Sequence, residues 1–423
     1  MSFRTFVAIA LTLGALVGAT GAAAMVSAGP SGAARSSATT ITYWHAYSSD
    51  SPEVKTINTV LIPRFERLHP NINVQAVAIP YDSLHQKLLT ATAGGTLPDV
   101  VRSDIIWVPE LANLGVLVPL DRQLKDFKAL ARITFPGALA TNRWKGHYYG
   151  LPLDTNTRVL MYNAKALTAA KMARPPRTFA QLKTLASRLR GKGIYAFADG
   201  GTSGWSILPW IWSGGGTLTN KALTKATGYL NSPKSIAAVQ MLVNLHRSGT
   251  ARFLNVDGGA QTSDGLPKEQ YATILDGPWM FPIFQAQYPS FALKTGRVPA
   301  GPGGSVSVVG GEDIVMTQSS SHKSESAAFI RFMLSKFAQT EMAKVGQMSI
   351  RKDLKSQLTK IHSYYGVFID QLATARPRTP HPQWPKIDST LESFVAKAVR
   401  GDLTVRQALT QAAREIDGLL RQS

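Results

Sequence analysis

Cysteine is absent from all 423 residues, which excludes disulfides, thiolate metal sites, a cysteine nucleophile and an N-terminal lipid-modified cysteine. Acids are scarce, with 26 Asp and Glu against 46 Lys and Arg, a formal net charge of +20. The imbalance peaks between Phe127 and Ala198, where thirteen Lys or Arg surround one acid, Asp154. No segment after the first 30 residues is apolar enough for long enough to span a membrane. Also missing are a Walker phosphate loop, a His-Glu-x-x-His pair, a Gly-x-Ser-x-Gly elbow and a dinucleotide fingerprint in a strand-turn-helix context. Gly301-Pro302-Gly303-Gly304 is a poor phosphate cradle, because Pro302 has no N–H to donate and no Lys-Ser/Thr follows. The eight His are scattered without ligand spacing, so neither a metal nor another cofactor is expected.

The basic excess invites a phosphate-binding reading, since a positive surface is the electrostatic footprint of nucleic-acid binding. The Lys and Arg are dispersed, however, with neither a basic helix nor an aromatic run beside them, so nucleic acid is not an expected partner. The expectation is instead electrostatic association with a membrane or cell wall, at roughly 1 kcal/mol per well-placed basic residue. Residues 1–28 read as a signal peptide: Arg4 is a positive start, residues 6–17 are an apolar stretch, and Val26-Ser27-Ala28 fits a small-x-small cleavage site. Retention of this segment as an anchor is the alternative, weakened by its Ala and Gly content. Residues 29–40 form a small-residue linker. Export to a periplasmic or extracellular, cell-surface-associated location follows.

What is present supplies a large globular protein. Hydrophobic residues make up 44%, ample for cores, and the length exceeds what one core usually supports, so two lobes are expected. Residues 41–44 read as a first strand, 53–68 as a helix stopped by His69-Pro70-Asn71, and 72–77 as an alternating second strand. A helix over 83–93 closes at Gly94-Gly95, and Asp99-Val100-Val101 opens a third strand. This β-α-β-α-β order predicts a parallel sheet flanked by helices. A strand-like segment over 151–163 begins the second lobe, with helices over 178–189, 235–246, 325–335, 385–400 and 404–420.

Several segments together carry a resemblance. They are Ile41-Thr42-Tyr43-Trp44-His45, Phe65-Glu66-Arg67-Leu68-His69-Pro70-Asn71-Ile72, Leu97-Pro98-Asp99-Val100-Val101 and Tyr149-Gly150-Leu151-Pro152 to Tyr162-Asn163. They continue with Asp276-Gly277-Pro278-Trp279, Val308-Val309-Gly310-Gly311 and Ala375-Arg376-Pro377-Arg378 to Trp384. In this order, across residues 41–420, the chain resembles the family 1 extracellular solute-binding proteins, nearest to maltose-, trehalose- and arabinoside-type sugar binders. The resemblance implies an α/β fold of two lobes, periplasmic-binding-protein-like and of type II. Each lobe would be a mainly parallel sheet flanked by helices, and three hinge crossings, near 153–157, 298–299 and 318–322, would join them. The lobes would comprise 41–153 plus 299–320 and 154–298 plus 321–423. It further implies a monomer that captures a mono- or oligosaccharide in the interlobe cleft and hands it to the membrane permease subunits of an ABC importer, without catalysis.

Sugars take hydrogen bonds from charged groups and stack their C–H faces on aromatic rings. Asp154, the lone acid of its basic stretch, stands where the family often places a sugar-binding Asp, a salt bridge or turn cap being the alternative. Asp104 follows the third strand, on the side where open α/β sheets bind ligands, or else caps the next helix. Trp44 and His45 end the first strand in the same way. Trp279 matches the family's aromatic platform. Glu312, after Gly311, stands where many relatives carry an aromatic, and Arg378 could donate a bidentate pair. Tyr81, Trp107, Asn156, Arg158 and Trp212 are further candidates, whereas Asp99, Trp205 and Trp210 are expected to be structural. Two other readings remain: a secreted glycoside hydrolase using Asp104 and Asp154 as its acid pair, or the same fold binding an anionic sugar or phosphorylated polyol.

Overall fold

The computed structural model describes residues 38–422. The signal peptide and most of the expected linker therefore lie outside the described residues. Twelve strands run in chain order: β1 Thr39–His45, β2 Ile72–Ala78, β3 Val100–Asp104, β4 Arg143–Trp144, β5 His147–Tyr148, β6 Gly150–Thr157, β7 Val159–Tyr162, β8 Phe197–Asp199, β9 Ala251–Phe253, β10 Thr273–Asp276, β11 Lys294–Gly296 and β12 Val309–Met316. Two five-stranded sheets hold all but the β4–β5 hairpin, in the orders β2-β1-β3-β12-β6 and β11-β7-β10-β8-β9.

β1 alternates as a strand with one core face must, burying Ile41, Tyr43 and His45. β3 is buried along its whole length because it lies mid-sheet with helices over it. The helical stretch after β1 is capped by Ser51, which accepts from the Val54 N–H, and passes through a π-helical turn at Ile57–Leu61. Tyr81–Gly94 ends on Gly95 in the left-handed conformation, as the Gly94-Gly95 pair predicts. The chain closes in a helical pair, Trp384–Arg400 and Val405–Leu420, turned by Gly401 and started by a Thr404–Gln407 capping box.

The sheets are mixed rather than mainly parallel. β1 pairs parallel with β2 and β3, but β12 lies antiparallel between β3 and β6. Likewise β10 and β9 flank β8 in parallel, while β7 is antiparallel to β10 and β11. The segment read as one strand over 151–163 is two: β6 ends in the first sheet at Thr157 and β7 begins in the second at Val159. The first crossing is thus Arg158 itself, past the expected 153/154 boundary. Val298, Val306 and Val308 pack in the core of the second sheet, so the second crossing falls just before β12 rather than at 298/299. The third departs most from expectation. Residues 318–322 stay beside the first sheet, where Gln318 N–H donates to Val116 and Ser320 Oγ donates to Asp99. Helices Lys323–Met333 and Lys336–Lys344 bury Phe329, Ile330 and Met342 in that sheet's core, while Ala343, Met348, Leu358 and Phe368 pack with the second. Apolar periodicity marks a helix's buried face, not the sheet that covers it.

Candidate functional site

A cavity of about 1300 Å³ is lined by the segment that follows β1, by the C-terminal ends of β3, β8 and β10 and the start of β12, and by the helices and loops around them. Strand ends of this kind gather side chains from separate elements into one mouth.

On the first sheet, register builds the wall. Glu312 of β12 lies opposite Asp104 of β3 and opposite Asp154 of β6. Arg102, two residues before Asp104 and so on the same face, sends Nε and Nη2 to Asp154 Oδ2 at 3.2 and 3.1 Å, and Nη2 to Glu312 Oε2 at 2.6 Å. Its guanidinium also lies 3.9 Å from the Tyr47 ring centre. Burial pushes the Glu312 carboxyl well above its ordinary value; Arg102 opposes that push and Asp154 and Asp104 add to it. Asp104 does not cap the next helix, which starts at Val108 without a side-chain cap; its Oδ1 accepts the Ile106 N–H at 2.9 Å and Arg378 Nη2 at 3.3 Å while Oδ2 accepts Tyr81 Oη at 2.7 Å. The Tyr81 ring stacks on Trp107, centres 5.3 Å apart.

β12 reaches this wall because Gly310 and Gly311 carry no side chains. A Cβ on Gly310 would meet the Trp205 ring at 2.7 Å, and Gly311, with φ of +129°, lies against the β6 backbone at Asp154 and Thr155. A β-bulge follows between Glu312 and Asp313.

The opposite wall is aromatic. Trp205 and Trp279 stack with centres 6.2 Å apart and planes 28° apart. Two guanidiniums face Trp205, Arg158 at 5.6 Å and Arg378 at 5.3 Å. Arg158 is fixed by Asp199 at 2.9 Å and by the Trp205 carbonyl at 3.1 Å. Asp276 and Asp388 complete this side; burial raises each carboxyl to about 6, against nearby Arg158 and Arg378 respectively.

Of the residues singled out in the sequence, Asp104, Trp279, Glu312, Gly311, Arg378, Tyr81, Asn156 and Arg158 line this cavity. Four do not. Asp154 sits behind Arg102, facing a small void with Tyr47 and Met348, because Arg102 occupies the space between it and the cavity. Trp44 turns to the other face of its strand, beneath Lys87 at 4.7 Å, since strand neighbours alternate. His45 is buried between Tyr43 and Tyr47, and burial, aided by Arg102, lowers its imidazole to about 4, so it stays neutral there. Trp212 is core, about two turns along the same helix from Trp205 and so carried away from the cavity mouth.

Arg102, Tyr47, Asp199, Asp276 and Asp388 were not singled out, and Trp205, expected to be structural, lines the cavity instead. Asp199 and Asp276 had a signal: both end strands of the second sheet, as Asp104 does in the first. Trp205 opens the helix that follows β8, whereas Asp388 is brought in by a helix nearly two hundred residues later. Among the described residues no cluster of three His, Asp or Glu could hold a metal ion, and no helix is long and apolar enough to cross a membrane.

Residues 48–340 match the family described as bacterial extracellular solute-binding protein. The multiple sugar-binding protein of Streptococcus mutans is 23% identical over 341 residues, covering 74% of this chain and 77% of its own. The GacH receptor of Streptomyces glaucescens, solved free and with acarbose, superposes with a TM-score of 0.81 at 24% identity, over 91% of this chain and 99% of the receptor. An ABC substrate-binding protein of Listeria monocytogenes in complex with cycloalternan gives 0.81 at 21% identity, over 91% and 100%.

Proposed function

This chain belongs to the bacterial extracellular solute-binding proteins, and from that premise we propose that it is the extracytoplasmic carbohydrate-binding component of an ABC importer. The observation that carries this reading is the stacked Trp205–Trp279 pair facing the hydrogen-bonding wall of Asp104, Glu312 and Arg378 across one cavity. Flat apolar faces opposite ionised acceptors and donors suit a saccharide, whose rings are apolar above and below and hydroxylated at the rim. The Streptococcus relative is named for sugar binding, and the two solved neighbours hold acarbose and cycloalternan, which agrees.

Each half of the wall belongs to a different sheet, joined by three chain crossings. A ligand that touches both halves favours the form in which they approach, and shifts the population by its differential affinity. The closed form then docks on the importer's permease subunits. The chain works as an exported monomer, its basic exterior holding it near anionic envelope polymers. No turnover accompanies capture: of the acid pair required for hydrolysis, Asp154 is held behind Arg102 and Asp104 is engaged by Tyr81 and Arg378.

Thermal-shift screening against a panel of mono- and oligosaccharides, followed by calorimetry on the hits, tests the reading. Saturable binding of one sugar per chain, recovered intact, is expected. Failure of every saccharide to bind, or catalytic release of smaller sugars, overturns it.

A further inference from the structure

Charge inside the cavity runs opposite to charge on the chain. Nine carboxylates and three arginines line it, with no lysine, although Lys and Arg outnumber acids 46 to 26 overall. The arginines are already committed: Arg158 to Asp199 at 2.9 Å, Arg378 to Asp104 at 3.3 Å, and Arg102 to Glu312 at 2.6 Å. Among the described residues the other six carboxylates lining the cavity have no arginine or lysine in salt-bridge contact.

Two of these flank the aromatic pair. Asp276 precedes the Gly277-Pro278 turn that presents Trp279; its Oδ1 accepts the Gly277 N–H at 2.8 Å and its carboxyl also engages the Trp279 side chain, with no basic residue in salt-bridge contact. Asp388 reaches the other end of the platform, where its Oδ1 accepts the Gly204 N–H directly before Trp205. A neutral hydroxyl could satisfy one lone pair at each of these acceptors but would leave the surplus charge in place. An ammonium brings three donors and the compensating charge together, and the faces of Trp205 and Trp279 attract cations as well.

We propose that the ligand of this cavity is a saccharide bearing a basic amine, its ammonium held at one end of the Trp205–Trp279 pair by Asp276 or Asp388. The inference rests on the carbohydrate reading above and names its substrate class. It also runs against an anionic sugar or phosphorylated polyol, whose charge would meet the same surplus of carboxylates.

The elevated carboxyls fit this arrangement. Burial raises both groups to about 6, against Arg158, the Gly277 N–H and Trp279 with some help from Asp199 at Asp276, and against the Gly204 N–H and Arg378 with some help from Glu392 and Asp104 at Asp388, so both are mostly ionised at neutral pH.

Calorimetry of the full chain with matched probes tests the proposal at about pH 7. Glucosamine, galactosamine, mannosamine and the β-1,4-linked glucosamine trimer are set against glucose, galactose, mannose, cellotriose, glucuronate and galacturonate. The expected result is that an amino member binds at least tenfold tighter than its neutral counterpart, about 1.4 kcal/mol, and that the uronates bind weakest. Asp276→Asn or Asp388→Asn, each checked for folding by thermal melting, should bring the amino-to-neutral affinity ratio towards one. A neutral or acidic sugar binding as tightly as its amino partner overturns the inference alone. Binding of no saccharide at all overturns the carbohydrate reading and this inference with it. Should either variant not fold, the wild-type ratio still decides.

Discussion

Arg102 separates carboxylates that would otherwise share one buried space, taking Asp154 at 3.1 Å and Glu312 at 2.6 Å while its flat face rests on Tyr47. Asp276 has no such partner, and the consequence is a pH dependence whose sign can be worked out. Its carboxyl titrates near 6 in the folded chain and near its ordinary 3.8 when unfolded. Between those values the folded chain holds a proton that the unfolded chain has released, so the stability contributed by this group falls as pH rises through the window. Asp276→Asn removes the buried charge and keeps an oxygen for the Gly277 N–H. The variant should therefore be more stable than the parent at about pH 7, by about 1–2 kcal/mol once solvent in the cavity is allowed for, and should lose that advantage by about pH 4. Thermal melts across this range check it. A gain that does not vary with pH, or a loss at neutral pH, would show that desolvation is not what raises this carboxyl. The expected gain comes with weaker ligand binding, the usual exchange at a site built around an uncomfortable charge.

At the scale of elements, β12 is the strand on which the site turns, because it carries Glu312 between the walls supplied by β3 and β6. It can do so only where its backbone lies close to β6, and Gly311 with φ of +129° is that point. Gly311→Ala should cost about 1–3 kcal/mol, the strain of a side chain in a region that only glycine occupies freely, read as a lowered midpoint of urea unfolding. An unchanged midpoint would mean the strand shifts at no cost. This strand also marks the limit of what the sequence discloses. β1, β2 and β3 are legible because alternation, helix stops and turn glycines are local signals, and with them came Asp104. Gly310-Gly311 was visible too, but the antiparallel insertion of β12 between strands some 150 and 200 residues earlier in the chain was not, since pairing partners leave no mark on periodicity. For the same reason the helix Lys323–Met333 and the start of the next were assigned to the wrong sheet. Trp44 misled because an aromatic at a strand end gives its type, not the face it turns to, and Trp212 because it lies about two helical turns past Trp205. Arg102 escaped notice because a lone basic residue in a strand announces nothing until its acids arrive from β6 and β12.

Across the whole molecule, acids are drawn inward and bases are left outside. Nine of the 26 acids line the cavity, against three of the 46 Lys and Arg, so the exterior is more positive than the net charge of +20 conveys. One face concentrates this. Residues 164–192 hold eight Lys or Arg and no acid, all eight exposed, and the only acid among the described residues in salt-bridge reach of any of them is Glu269, 3.4 Å from Lys165. Such a face should adsorb to anionic surfaces, with each well-placed base contributing roughly 1 kcal/mol. The full chain is expected to co-sediment with phosphatidylglycerol-containing vesicles at low salt and to come off as salt approaches about 1 M, where the screening length has shrunk to about 3 Å. Reversing Arg174, Lys183 and Arg190 to Glu should shift release to markedly lower salt while the thermal melt stays close to the parent's, because all three side chains point into solvent. Equal binding to phosphatidylcholine vesicles, or retention at high salt, would rule out an electrostatic origin. The same salt titration separates the two surfaces of the molecule, because charges inside the cavity are partly shielded from bulk ions. Ligand affinity should fall far less steeply with salt than vesicle binding does, and parallel slopes would mean that the cavity is as open to counterions as the outer face.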